Sequence, residues 1–592
     1  MKFNWLDRLV FPLLAMIILV QCQPSESPQS ASETDWETVF EKSKGLETVT
    51  YQQGIEYYKK LDEAFAEIKM LEMGETDSGE PLHLVLFSKD KSFDIGELKK
   101  AKKAFLLINN AIHPGETDGV DASMMLLRDV AQGKVLGEEM GNVVLAIIPF
   151  YNIGGALNRG NFSRANQIGP KEHGFRGNAR NYDLNRDFIK NDTKNARSFA
   201  QLFHYVDPDF MIDTHVSNGA DYQYTLTLIS TQKEKLGGVL KDYQEEKLVP
   251  YLFDYMEENS STITPYVNVH GGTPDNGFTQ FPDWPRYSSG YVTLFNTIGF
   301  MSETHMLKPY PQRVEATYQL LKGLATVLAR DRKEVIALRA ATKEAVAKQK
   351  VFPVSWENDT SAFRMLQFKG YEGSMIESKI APGQKRLFYD RSKPFTKEVK
   401  YFDTYKTAVE VTAPQAYIIP QGWHNVIGQL ELNEVEMYQL ESDSAIEVES
   451  YFIDEYKSYP RPYEGHFMHY NVKLRPEKQT ITFRKGDYVV PVNQVNNRYI
   501  VETLEPEGVD SFFNWNYFDT ILQQKEGYSS YVFEDIAFEL LKTNKKMAEE
   551  FEKKKSEDSE FAASRRAQLN FIYQHSPFYE KEHMRYPVFR LL

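Results

Sequence analysis

Residues 104–116 read Ala104-Phe-Leu-Leu-Ile-Asn109-Asn-Ala-Ile-His113-Pro-Gly-Glu116. The run from Ala104 to Asn109 is compact and apolar, as expected of a strand buried on both faces. Similar runs recur at 143–150 (VVLAIIPF), 210–213 (FMID) and, less strongly, 297–302, with a shorter strand at 82–87. Between them lie helical patterns. Residues 39–67 read as helix broken near Gly54, residues 121–131 carry an apolar face of Met124, Leu126, Leu127 and Val130, and residues 312–349 form a long Ala-, Leu-, Lys- and Arg-rich helix. Strand and helix in alternation predict an α/β fold with a mostly parallel mixed sheet flanked by helices, over 35–349. After residue 349 the character changes. Short β-prone stretches separated by turns such as Pro382-Gly383 and Lys485-Gly486-Asp487 predict a β-rich accessory region over 350–505. A mainly helical segment follows over 506–592, with 537–570 expected as a charged, solvated helix. No internal repeat is evident.

Open α/β sheets bind ligands at the carboxyl ends of their strands, so the residues after each buried run carry the functional signal. They are His113-Pro-Gly-Glu116, then Asp183-Leu-Asn185-Arg186 at the end of a long loop, then Asp213-Thr-His215, then Glu303-Thr-His305. Pro-Gly forces a turn that can aim His113 and Glu116 at one point, and His215 offers a third ligand. Two histidines and one glutamate, with water in the fourth position, make a catalytic zinc arrangement. Zinc acidifies that water and polarises a carbonyl, and Glu303 is then the base that takes the proton. Each piece alone is weak. With 12 histidines in the chain, about one His-x-x-Glu arises by chance, and His204 with Asp207 is such a decoy in a helical stretch. The weight lies in the order and placement of the whole set.

In that order and spacing the chain resembles the zinc metallocarboxypeptidase family, the carboxypeptidase A-like or funnelin fold, over about residues 36–349. The resemblance implies one zinc per chain on His113, Glu116 and His215, with Glu303 as general base. It implies Asn185 and Arg186 as the residues that hold the substrate's terminal carboxylate, a role that suits a bidentate guanidinium. It implies Asp183 as the carboxylate orienting the first zinc histidine. The family's carbonyl-polarising arginine maps to Arg164, with Arg176 and Arg180 as rivals. Its mobile tyrosine maps to Tyr287, with Tyr291 as the alternative. The segment 277–285 (GFTQFPDWP) has no counterpart in the family pattern and is expected to shape the pocket. Leu294 lies where the pocket for the terminal side chain is expected and favours an apolar one. His305 and Lys308 are expected to be structural or rim residues.

The N-terminus carries an address. Lys2 and Arg8 precede an apolar run over 9–20, and the chain's single cysteine, Cys22, closes a Leu-Val-Gln-Cys stretch resembling a bacterial lipobox. Residues 1–22 therefore read as a lipoprotein signal peptide and 23–34 as a tether. The protein is expected to be exported and anchored to a membrane, periplasmic or at the cell surface, through lipid on Cys22, or secreted if Cys22 is not lipidated. A net charge of −14 argues against nucleic acid as a partner. The expected substrate is a peptide with a free C-terminal carboxylate. Two alternatives stay open: a zinc amidase or carboxypeptidase acting on cell-wall stem peptides or acylated amino acids, and a non-catalytic binding lipoprotein. The intact Glu303 speaks against the second, because a pure binder needs no base.

Overall fold

A computed structural model describes residues 36–592. The leader 1–22, Cys22 and the tether 23–34 lie outside the described residues. Among the described residues nine strands precede the long helix: β1 (Ile68–Glu75), β2 (Pro81–Phe87), β3 (Ala104–Asn109), β4 (Val143–Ile148), β5 (Phe210–Ser217), β6 (Leu226–Ser230), β7 (Ile263–Pro265), β8 (Phe278–Thr279) and β9 (Ile298–His305). Eight of them form one mixed sheet, in the order β1-β2-β4-β3-β5-β9-β6-β7. The central pairs β4–β3, β3–β5 and β5–β9 are parallel; β1–β2, β2–β4 and β6–β9 are antiparallel. Every residue of β3, β4 and β5 is buried, as helices on both faces require.

The strand ends differ from the sequence reading in one useful way. β3 stops at Asn109, opposite Asp213, whereas β5 and β9 continue side by side to Ser217 and His305. His215 and Glu303 are therefore not in loops. They are register partners on two strands that overhang the end of β3. Parallel pairing fixes both backbones, so the two side chains inherit the rigidity of the sheet.

The helix Tyr310–Lys348 has 39 residues and lies along the sheet. Two buried arginines fasten it: Arg313 to Asp118 at 3.0 Å and Arg339 to Asp209 at 2.8 Å. The expected break at Gly54 is misplaced. Residues 43–50 separate helix Val39–Lys42 from helix Tyr51–Ala64, because Thr50 caps the second helix by accepting from the Gln53 amide. Gly54 sits inside that helix, where an added Cβ would come within 2.6 Å of the Phe150 ring.

Beyond the helix come β10 (Val351–Asn358), β11 (Arg364–Glu377), β12 (Lys385–Phe402), β13 (Tyr405–Thr412), β14 (Ala416–Ile419), β15 (Tyr438–Gln439), β16 (Ser444–Ser458), β17 (His469–Phe483), β18 (Tyr488–Pro491) and, at the C-terminus, β19 (Phe589–Leu591). They form a β10–β13 pair, a β11-β12-β8 sheet and a six-stranded sheet β15-β18-β14-β19-β16-β17. The expected boundary at 349/350 is a change of secondary structure rather than of core. One apolar cluster runs from Phe199, Tyr291 and Phe295 through Val346 and Phe352 to Tyr499, Phe512 and Trp515, and Thr38–Leu592 forms a single unit. The stretch 537–570 is not one solvated helix. Asn544, Asp558 and Ser564 each cap a new short helix, and Phe533, Met547, Phe551, Phe561 and Leu569 pack into a small core of their own. Among the described residues no helix is long and apolar enough to cross a membrane.

Candidate active site

Beyond the end of β3 the Pro-Gly turn brings His113 and Glu116 back under β5. His113, Glu116 and His215 are 2%, 3% and 4% exposed, and their ligating atoms converge. His215 Nδ1 lies 3.2 Å from His113 Nδ1 and 3.1 Å from Glu116 Oε2, and His113 Nδ1 lies 3.4 Å from the same oxygen. Bonds of about 2.0–2.1 Å at tetrahedral angles set ligand atoms roughly 3.3 Å apart, so the triangle has the size of a zinc centre. Among the described residues this is the group of histidine, cysteine and acidic side chains that could hold a metal ion.

The outer faces of the two rings agree with that reading. His113 Nε2 lies 2.9 Å from Asp183 Oδ1, and His215 Nε2 lies 3.0 Å from Asp213 Oδ2. A carboxylate on each Nε2 keeps the proton there and turns the Nδ1 lone pair inward, toward a cation. Asp213 is in turn held by the Asn109 amide at 3.1 Å. Sequence reasoning gave Asp213 no role. The signal was present: Asp213 and His215 are two apart in a strand, and so share a face. Asp213→Asn is expected to weaken metal binding about tenfold or more, read by competition with a chelator; an unchanged affinity would remove Asp213 from the site.

Burial alone would raise the Glu116 carboxyl, but His113, Arg164 and His215 around it hold it well below the ordinary carboxylate range. Asp183 shows the same balance: burial opposes its charge, and His113, Arg176 and Arg186 outweigh burial. Glu303 is the contrast. Burial pushes its carboxyl up to about 7. Its side chain opens to a cavity of about 360 Å³ and makes no hydrogen bond with another described residue. One carboxylate is thus held charged beside the metal-sized triangle, and a second is left free to exchange a proton.

The cavity is lined by the three converging residues, Glu303, Asn185, Arg186, Tyr287, Arg164 and Arg176. Asn185 and Arg186 sit on a single 3-10 turn, Leu184–Arg186, capped by Asp183. Arg186 stacks on the Tyr287 ring at 4.7 Å. Tyr291 is fully buried and donates to Asn433 at 2.6 Å, so Tyr287 is the tyrosine at the cavity. Arg164 gives its donors to Gln167, to Glu116 Oε1 at 2.8 Å and to the Val216 carbonyl at 2.9 Å. Its close approach needs Gly115, where a Cβ would meet the Arg164 side chain at 2.5 Å. The Arg176 side chain is 45% exposed; it bonds Asp183 through Nε and Nη2, and its Nη1 stands 3.5 Å from Glu116. Arg180 does not line the cavity and bonds the Asp192 carbonyl. His204 binds Asn433 from its helix, remote from the cavity lining, as expected of a decoy. Leu294 is 1% exposed and does not line the cavity. Ile229, Met301, Met306 and Phe281 supply the apolar wall instead, together with Tyr266. Phe281 comes from segment 277–285. Buried His305 bonds the Ala220 carbonyl, and Lys308 bonds the Tyr222 carbonyl, so both secure the loop after β5.

No family model matches the chain. Carboxypeptidase 2 of Trichophyton rubrum is 20% identical over 441 residues, spanning 70% of this chain and 74% of that protein. Carboxypeptidase 2 of Trichophyton tonsurans is 20% identical over 437 residues, with coverage of 70% and 74%. Among solved structures, the metallo-carboxypeptidase from Burkholderia cenocepacia is 14% identical with a TM-score of 0.35, covering 48% of this chain and 69% of its own. The metallo-carboxypeptidase from Pseudomonas aeruginosa, solved with (2-guanidinoethylmercapto)succinic acid, is 12% identical with a TM-score of 0.35, covering 48% and 70%. The sequence likeness is thus to carboxypeptidases.

Proposed function

We propose that the protein is a zinc-dependent metallocarboxypeptidase that hydrolyses the last peptide bond of peptides bearing a free C-terminal carboxylate. The observation that carries this reading is the triangle of His113, Glu116 and His215 facing Glu303 on one side of the cavity and Asn185 and Arg186 on another. Zinc bound by the three residues would supply Lewis acidity toward the scissile carbonyl and acidify a water. Glu303 takes the proton of the attacking water and delivers it to the leaving amine. Its raised carboxyl pKa and rigid strand position suit a group that must gain and lose a proton in place. Arg186 and Asn185 hold the terminal carboxylate and so align the last peptide bond with Glu303. An oxyanion needs a donor nitrogen that is not already engaged at short range: every nitrogen of Arg164 makes a hydrogen bond, whereas Arg176 Nη1 has only the 3.5 Å ion-pair contact with Glu116. The geometry therefore favours Arg176 as the polarising cation, with Arg164 buttressing Glu116. Tyr287 backs Arg186. The wall of Ile229, Met301 and Phe281 favours an apolar terminal side chain. Export, with lipid on Cys22, belongs to the same proposal and is supported by the leader sequence alone.

The test is a panel of peptides presented as free acids and as C-terminal amides. The acids are cleaved from the C-terminus and the amides are not. Arg186→Met is expected to raise KM for acids about a hundredfold, the loss of a charge-assisted bidentate contact worth about 3 kcal/mol. Equal cleavage of acids and amides by the parent protein would sink the carboxypeptidase reading and favour a cell-wall or small-amide substrate.

A further inference from the structure

The turn that carries Arg186 is held by residues far along the chain. Loop 459–468 joins β16 to β17, and its tip reaches the turn that carries Asn185 and Arg186. The Glu464 carboxylate accepts from the Asp183 amide at 2.9 Å. Asp183 caps that turn, accepting from the Asn185 amide at 3.0 Å. Beside it the Tyr463 phenol lies near enough to the Arg186 guanidinium to favour its charged form. Tyr463 is itself fixed: its ring stacks on Trp515 at 6.1 Å and 20°. Trp515 is fully buried and donates to Asp510 at 3.2 Å. Arg286 pairs with Asp510 at 2.8 Å and lies 5.6 Å over Tyr463 and 5.2 Å over Trp515. His466 anchors the far side of the tip to Asp192 at 2.7 Å. Glu464 and Gly465 both take left-handed backbone, at φ 48° and 83°. That conformation is unfavourable for a glutamate, so the surroundings hold the tip in this shape rather than local preference.

We propose that loop 459–468 is part of the substrate-binding apparatus, with Tyr463 and Glu464 as positioning residues that aim Arg186 at the substrate's terminal carboxylate. The proposal rests on the reading of Arg186 as the carboxylate anchor. A long arginine has many rotamers. Tyr287, on whose ring its guanidinium stacks, and the neighbouring Tyr463 order it before substrate arrives, which removes that cost from binding. Glu464 acts one step further back, by fixing the turn itself.

The experiment uses the full chain carrying Glu303→Gln, loaded with zinc, so that peptides bind without turnover. N-acetylated dipeptides ending in Phe, Leu, Lys or Glu, each as acid and as amide, are titrated by calorimetry. Tyr463→Phe keeps the ring and its stacking and removes only the oxygen. Affinity for the acids is expected to fall about tenfold, the scale of one hydrogen bond to a charged group, with the amides unchanged. In the active protein the loss falls on KM more than on kcat. In an Arg186→Gln background the same Tyr463 change has no further effect, since no guanidinium remains to be aimed. If the parent binds acids no more tightly than amides, the functional reading fails and this proposal with it. If the parent discriminates, yet Tyr463→Phe leaves acid binding unchanged, weakens acids and amides alike, or acts undiminished without Arg186, this proposal alone is overturned.

Discussion

Glu303→Gln is expected to leave one metal ion per chain in place and to lower kcat on the order of a thousandfold, the range of a lost general base. The substitution is nearly isosteric. Glu303 is the register partner of His215 on strands whose backbones are fixed, and its side chain contributes no hydrogen bond to another described residue, so removing its charge disturbs no packing. What disappears is the capacity to take a proton. Metal content, peptide affinity and turnover measured on one preparation separate the possibilities. Lost metal would make Glu303 a ligand. Retained activity would place the base elsewhere, and no other carboxylate at the cavity combines freedom from partners with a raised pKa.

A chain ending at residue 349 is expected not to fold, although it contains every proposed catalytic residue. Truncation would strip Tyr499 from Phe295, whose rings stack at 5.4 Å, and Asn433 from Tyr291. It would leave Arg286, 8% exposed, without Asp510. Breaking one such buried pair costs about 3–5 kcal/mol, and the newly bared aromatics add about 1.5–3 kcal/mol each. Against a typical total stability of about 5–15 kcal/mol the fragment cannot persist. Near-ultraviolet circular dichroism and limited proteolysis of fragment 38–349 decide the matter. A protease-resistant fragment that binds metal would show that residues 350–592 are dispensable and that the shared core is weaker than its contacts suggest.

Much of the site was readable because its residues follow buried apolar runs. β3 coincides with the stretch AFLLIN, and the Pro-Gly turn after it announced His113 and Glu116. Strand lengths were not readable. FMID ended the apolar run at Asp213, but β5 continues through Thr214 and His215 because β9 pairs with it along its whole length, and pairing is a tertiary fact. β1 was missed because its sequence, IKMLEMGE, has only one fully buried residue. The choice between Arg164 and Arg176 turns on which guanidinium nitrogen is left without a short contact, which depends on contacts across the loop. Tyr463 and Glu464 lie nearly three hundred residues from Arg186, and nothing local marks them. The caps at Asn544, Asp558 and Ser564 were legible in principle. The dense charge of 537–570 concealed them, although each is a side-chain oxygen preceding an apolar-faced turn.

The most direct test of the account is to strip the full chain of metal and titrate zinc back while following hydrolysis of a free-acid peptide, with His215→Ala in parallel. Activity should be absent without metal, rise in proportion to zinc and level off at one equivalent, and the variant should neither bind nor cleave. Full activity in the stripped protein, or zinc binding that survives loss of His215 unchanged, would contradict a metallopeptidase centred on His113, Glu116 and His215.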